Sequence, residues 1–122
     1  MENGYEVERF EYWYDYIVKE RSKKIVELET EFNTLYQGEG KKKWNYNTDI
    51  GIAVEKLRQV IESISEVIYK ELFKVALAAI LLDVSNLYRN GKCLSYKKKW
   101  EDRKIVEKDV FDKFDEKVLK EL

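Results

Sequence analysis

The stretch "VALAAILLDVSNLYRNGKCLSYKKKW", residues 75–100, decides how this chain is read. Eight residues, Val75 to Leu82, carry no polar side chain. Asp83, Ser85 and Asn86 follow at once, then Gly91, then an aromatic, three lysines and a tryptophan. A helix that is apolar all round belongs in the centre of a bundle, with neighbours on several sides. The run is shorter than the roughly 18 to 20 residues needed to cross a bilayer. Asn90-Gly91 is a turn signal and a natural helix stop. The stretch therefore predicts a buried helix that ends in a polar corner and a basic, aromatic loop.

Working upstream, Ile50, Val54, Leu57, Ile61, Ile64, Ile68 and Leu72 continue the same helical spacing. Asn47 or Thr48 can cap the start, and Asp49 suits the N-terminal dipole. "ESISE" interrupts the run, with Ser65 as a good N-cap and Glu66 in a first turn. The expectation is a pair of helices, or one bent helix, over 48–89. Further upstream, 5–36 reads as one long amphipathic helix. Val7, Tyr14, Leu28 and Leu35 share one stripe; Val18, Ile25 and Phe32 share the next. Arg21 interrupts this seam, so a clean coiled coil is not expected. The cluster "FEYWYDYIV" reads as a packing anchor, or as a partner or base-stacking surface. Downstream, Val110, Phe111, Phe114, Val118 and Leu122 line a last helix over 107–122. The predicted fold class is all-α: a single domain, 1–122, of four or five helices in a bundle, with a long N-terminal helix and a central buried one.

Composition agrees. Proline is absent and only five glycines occur, which favours long helices. Hydrophobic residues make up 44% and charged residues 39%, as in a folded domain rather than a disordered or membrane-spanning chain. The acidic N-terminus has no apolar signal-peptide core, and a lone cysteine suits a reducing compartment. A cytoplasmic location without membrane association is expected. The net charge is −1, so any attraction to nucleic acid must be local.

Chemistry is sparse. There is no histidine and no glycine-rich phosphate loop, and one cysteine excludes a disulfide framework. Cys93 has lysines nearby but no histidine partner, so it reads as a small, half-buried residue. Asp83, attached to the buried helix, needs a hydrogen bond or ion pair at the helix end. No catalytic group, metal site or cofactor site is expected within this chain. The positive signal is basic: Lys97, Lys98 and Lys99 between Tyr96 and Trp100, with Arg89 and Lys92 upstream and Arg103 and Lys104 downstream. Lysine and arginine bind phosphates, and aromatics stack on exposed bases. A solvated loop with its tryptophan folded back on the core fits the same residues. "KKKWNY" (41–46) and "YKKKW" (96–100) echo one another, each following a helix end and a glycine.

The segment "LFKVALAAILLDVSNLYRNGKCLSYKKKW" also resembles part of the amino-methylating DNA methyltransferases of restriction-modification systems, which act on the exocyclic amine of adenine or cytosine. The pattern is F-x-x-A-L-x-x-I-L-x-x-V-S-N, filled here by Phe73, Ala76, Leu77, Ile80, Leu81, Val84, Ser85 and Asn86. The flanking segments look similar too, so the resemblance covers about the last two thirds of the chain. It implies a helical, DNA-proximal part of such an enzyme: a DNA-binding or target-recognition portion or subunit, not catalytic alone. The aromatic tetrapeptide with two prolines that holds the target amine is missing, as is the glycine-paired loop for S-adenosylmethionine. That cofactor would enter only with a separate catalytic methyltransferase domain. The resemblance implies DNA as partner. Ser85 and Asn86 would meet phosphates or base edges, Arg89, Lys92 and Lys97 to Lys99 would hold the backbone, and Tyr96 or Trp100 would stack on a flipped base. The competing expectation is a helical protein-interaction module or homodimerising domain working through the 7–35 seam and Trp13.

Overall fold

The computed structural model describes residues 6–26, 37, 44–90, 93–102 and 105–121. Among them the order is α1 (Val7–Arg21), α2 (Thr48–Glu62), α3 (Val67–Val84), β1 (Leu87–Asn90), β2 (Cys93–Tyr96), a short 3-10 turn (Trp100–Asp102) and α4 (Glu107–Glu121). The chain is mostly helical, but not strictly all-α. No helix among the described residues is long and apolar enough to cross a membrane.

In α2 the residues Ile50, Ala53, Val54, Leu57, Val60 and Ile61 recur at helical spacing, and all are buried. α3 lays Tyr69, Phe73, Ala76, Leu77, Ile80 and Val84 onto α2 and α4. α4 answers with Val110, Phe111, Phe114 and Val118. Phe73 sits centrally, its ring 5.6 Å from Phe10 of α1 and 6.4 Å from Phe114 of α4. Trp13 and Ile17 bring α1 into the same core.

Several expectations need correction. The helix over 5–36 does not run unbroken: α1 ends at Arg21, and residues 22–26 are turn and coil. Its last turn carries Lys19 and Arg21, which suit the negative end of the helix dipole. Residues 27–36, with Leu28, Phe32 and Leu35 of the expected seam, lie outside the described residues, as does Leu122. The break between α2 and α3 falls where the sequence placed it. The N-cap position, however, is Glu66 rather than Ser65. The Glu66 carboxylate makes no cap. It accepts from Trp13 Nε1 at 3.1 Å and pairs with Arg9, tying α1 to α3.

Among the described residues, α3 is not surrounded. Its inner face is buried, but Val67, Ile68, Val75, Ala78 and Ala79 face outward, Val75 with 62% exposed. The helix also stops at Val84, short of the turn signal. The next residues form a two-stranded antiparallel hairpin, pairing Leu87 with Tyr96, Tyr88 with Ser95, Arg89 with Leu94 and Asn90 with Cys93. In sequence only Gly91 and Lys92 separate the strands. A two-residue link that begins with glycine is a hairpin signature as well as a helix stop.

Candidate nucleic-acid interface

The site begins where α3 ends. Ser85 leaves the helix in an extended conformation. Its Oγ donates to the Leu82 carbonyl at 2.7 Å and accepts from the Leu87 amide at 3.1 Å, which turns the chain locally. Asn86 then connects three segments. Its Nδ2 donates to the Trp44 carbonyl at 3.2 Å and to Asn47 Oδ1 at 3.0 Å. Its amide donates to the Asn45 carbonyl, and its own carbonyl accepts from the Lys97 amide, both at 2.7 Å. Asn47 Oδ1 also takes the Trp44 indole N–H at 2.7 Å. Asn47 thus holds the N-cap position of α2 without capping it. The Gln37 side chain takes that role, accepting from the Thr48 amide at 3.1 Å.

Ser85 and Asn86 are each 1% exposed, so these two expected contacts to phosphates or base edges are used inside the protein. Among the described residues no buried side-chain nitrogen or oxygen lacks a partner. Lys97 is also turned inward. Its Nζ donates to the carbonyls of Ser85 at 2.8 Å, Asp83 at 2.9 Å and Leu82 at 3.4 Å. An ammonium there satisfies carbonyls that a helix end leaves orphaned, and it opposes the negative end of the dipole.

The two echoed motifs meet. Trp44 and Trp100 pack edge to face, centroids 5.0 Å apart, and Tyr96 lies 5.1 Å from Trp100. The Tyr96 hydroxyl donates to Asn45 Oδ1 at 3.2 Å. Trp100 is 6% exposed, folded back on the protein rather than open to a base. Tyr96 is half-buried.

What remains outward is Arg89 on β1 and Lys98 and Lys99 in the turn after β2, all exposed. Lys99 has φ of 55°, the one positive value among the described non-glycine residues, where the chain bends from β2 into the 3-10 turn. Lys92, Arg103 and Lys104 lie outside the described residues. Asp83 is exposed, so it carries no burial penalty, and Cys93 is exposed rather than half-buried. Among the described residues no group of three His, Cys, Asp or Glu side chains is placed to hold a metal ion.

Reading the sequence alone missed a second basic group. Lys113, Lys117 and Lys120 of α4 line a shallow groove with Ile80 and Asp83 of α3. Their i, i+4, i+7 spacing was the available signal.

No match is found among protein families, curated proteins or solved structures. The residues that carry the resemblance have another explanation in the fold. Phe73, Ala76, Leu77, Ile80 and Val84 form the buried face of α3, and Ser85 and Asn86 form the corner. Packing alone asks for that pattern.

Proposed function

We propose that this chain is a helical DNA-binding portion or subunit of a DNA modification methyltransferase, not catalytic alone, and that it grips the duplex backbone rather than reading bases. The observation that carries the DNA contact is the exposure of Arg89, Lys98 and Lys99 on a hairpin and turn anchored by the Asn86 network. Such side chains bind phosphate oxygens without sequence information. Ser85, Asn86 and Trp100 are buried and engaged internally, so the contact proposed is to phosphates and not to bases. The methyltransferase context rests on the resemblance alone. S-adenosylmethionine and the reacting groups would belong to a catalytic domain.

The test is fluorescence anisotropy of the whole chain with a 20-base-pair duplex across a salt series. Replacing Arg89, Lys98 and Lys99 by Gln should weaken binding and reduce the log–log salt slope by about 2 to 3, near 0.9 per lost phosphate contact. Duplexes of different sequence should bind alike. Unchanged binding by the folded triple variant would sink the proposal.

A second reading, a protein-interaction module, is favoured by the outward apolar face of α3 at Val67, Ile68 and Val75. It does not run through Trp13, which is packed in the chain's own core. A concentration series in sedimentation tests it: a monomer throughout would remove the homodimer.

A further inference from the structure

We propose that the DNA footprint continues from the hairpin onto α4, where Lys113, Lys117 and Lys120 form a second phosphate-binding stripe held in check by Asp83 and Glu116. This inference rests on the DNA-binding reading above and extends it to residues that play no part there.

The two basic groups adjoin through Asp83. Its carbonyl accepts from Lys97 Nζ at 2.9 Å, next in sequence to Lys98 and Lys99. Asp83 also lines the groove with Lys113, Glu116, Lys117 and Lys120. The stripe from Lys113 to Lys120 spans about 10 Å of helix axis, at 1.5 Å per residue. That is about three phosphates on one strand, at 3.4 Å of duplex axis each. The groove holds about 100 Å³. This is far below the roughly 300 Å³ at which small-molecule sites begin, so it suits an edge contact and not an enclosed ligand.

The two carboxylates set the strength. Glu116 accepts from Lys120 Nζ at 3.2 Å, and both side chains are well exposed. Exposed pairs of this kind contribute little, so Lys120 can exchange its carboxylate for a phosphate at small cost. Among the side chains that line the groove, three ammonium groups face two carboxylates, a weak local excess of positive charge. The acids compete with phosphate and limit affinity.

The experiment uses the whole chain, the same duplex and the same salt series, with folding checked by circular dichroism. Three variants are compared: Lys113, Lys117 and Lys120 to Gln; Asp83→Asn with Glu116→Gln; and the Arg89, Lys98 and Lys99 set. The α4 lysine variant should bind at least about threefold more weakly at low salt, with a salt slope lower by about 2 to 3. The acid variant should bind at least about threefold more tightly. If the α4 lysine variant binds like the wild type while the hairpin variant weakens, the footprint stops at the hairpin; this inference falls and the DNA reading stands. If removing the acids leaves affinity unchanged or lowers it, their restraining role is overturned. If the wild-type chain does not bind the duplex at low salt, both readings fall together.

Discussion

Among the described residues, the contacts of Arg21 and of Asn86 are two polar centres built from opposite chemistry. Between α1 and α4, Arg21 reaches Asp115 with two bonds, at 2.7 and 3.0 Å, and its guanidinium lies 4.5 Å from the centroid of the Phe111 ring. At the end of α3, Asn86 joins neutral amides and backbone carbonyls from three segments. The first centre is a pair of side chains. The second includes backbone groups that no substitution can remove. An ion pair can be replaced by apolar side chains of similar volume with little net loss, because the desolvation cost of both charges disappears with them. A side chain that satisfies backbone groups has no such substitute. The difference assigns distinct roles: the clamp fastens two helices, whereas the corner fixes a register.

The largest expected effect breaks the corner. Asn86→Asp replaces the donor that faces the Trp44 carbonyl and Asn47 Oδ1 with an acceptor, and places a charge at a position 1% exposed. Two acceptors facing a buried carboxylate should cost about 3 to 5 kcal/mol. Urea unfolding followed by tryptophan fluorescence reads this as a lower midpoint at an unchanged slope. A variant near wild-type stability would show that the corner opens to water.

The clamp should be weaker and, unlike the corner, repairable. The side chains of Arg21 and Asp115 are 10% and 23% exposed, so water already reaches the acid. Arg21→Leu alone should cost about 1 to 3 kcal/mol, less than for a fully buried pair. Adding Asp115→Leu should restore much of that loss, since no unpaired charge remains. A double variant no more stable than the single one would place the clamp with the corner and dissolve the contrast.

The same contrast explains what the sequence allowed to be read. Helix positions were legible because Ile50 to Val84 and Val110 to Val118 repeat at helical spacing, a signal carried by neighbours in the chain. The hairpin was not. Leu87 and Tyr88 stand three and four residues after Val84, so they prolong the helical phase, and a glycine ends a helix as readily as it turns a hairpin. Arg21 read as a flaw in a seam because its partner lies 94 residues away. Asn86 read as a ligand contact because Asn47 and Trp44 are about forty positions distant. A polar residue beside an apolar run looks the same whether it faces a phosphate or a carbonyl. The outward face of α3 failed differently: hydrophobicity all round predicts burial all round, while the described residues cover one side. The two-indole echo was the one local hint of a long-range contact, and the structure joins its two halves.

The smallest effect separates the centres by pH. Tyr14, beside the clamp, has its phenol pushed up to about 12, chiefly by burial and then by the Asp115 charge and hydrogen bond. Tyr46, near the corner, is raised by burial alone. A phenol with a raised folded pKa holds its proton more tightly in the folded state. Its contribution to stability is therefore complete below the ordinary value of 10, and is lost as pH climbs from 10 through about 12. Tyr14→Phe removes that loss. Relative to wild type, the variant should gain in urea midpoint as pH rises from 9 to 12, whatever its offset at pH 8. Adding Asp115→Asn to the wild type should shrink the same alkaline loss without abolishing it, because burial remains. A midpoint difference that stays flat from pH 9 to 12 would mean that Tyr14 meets water and carboxylate alike in both states, and that the clamp has no hold on its neighbour.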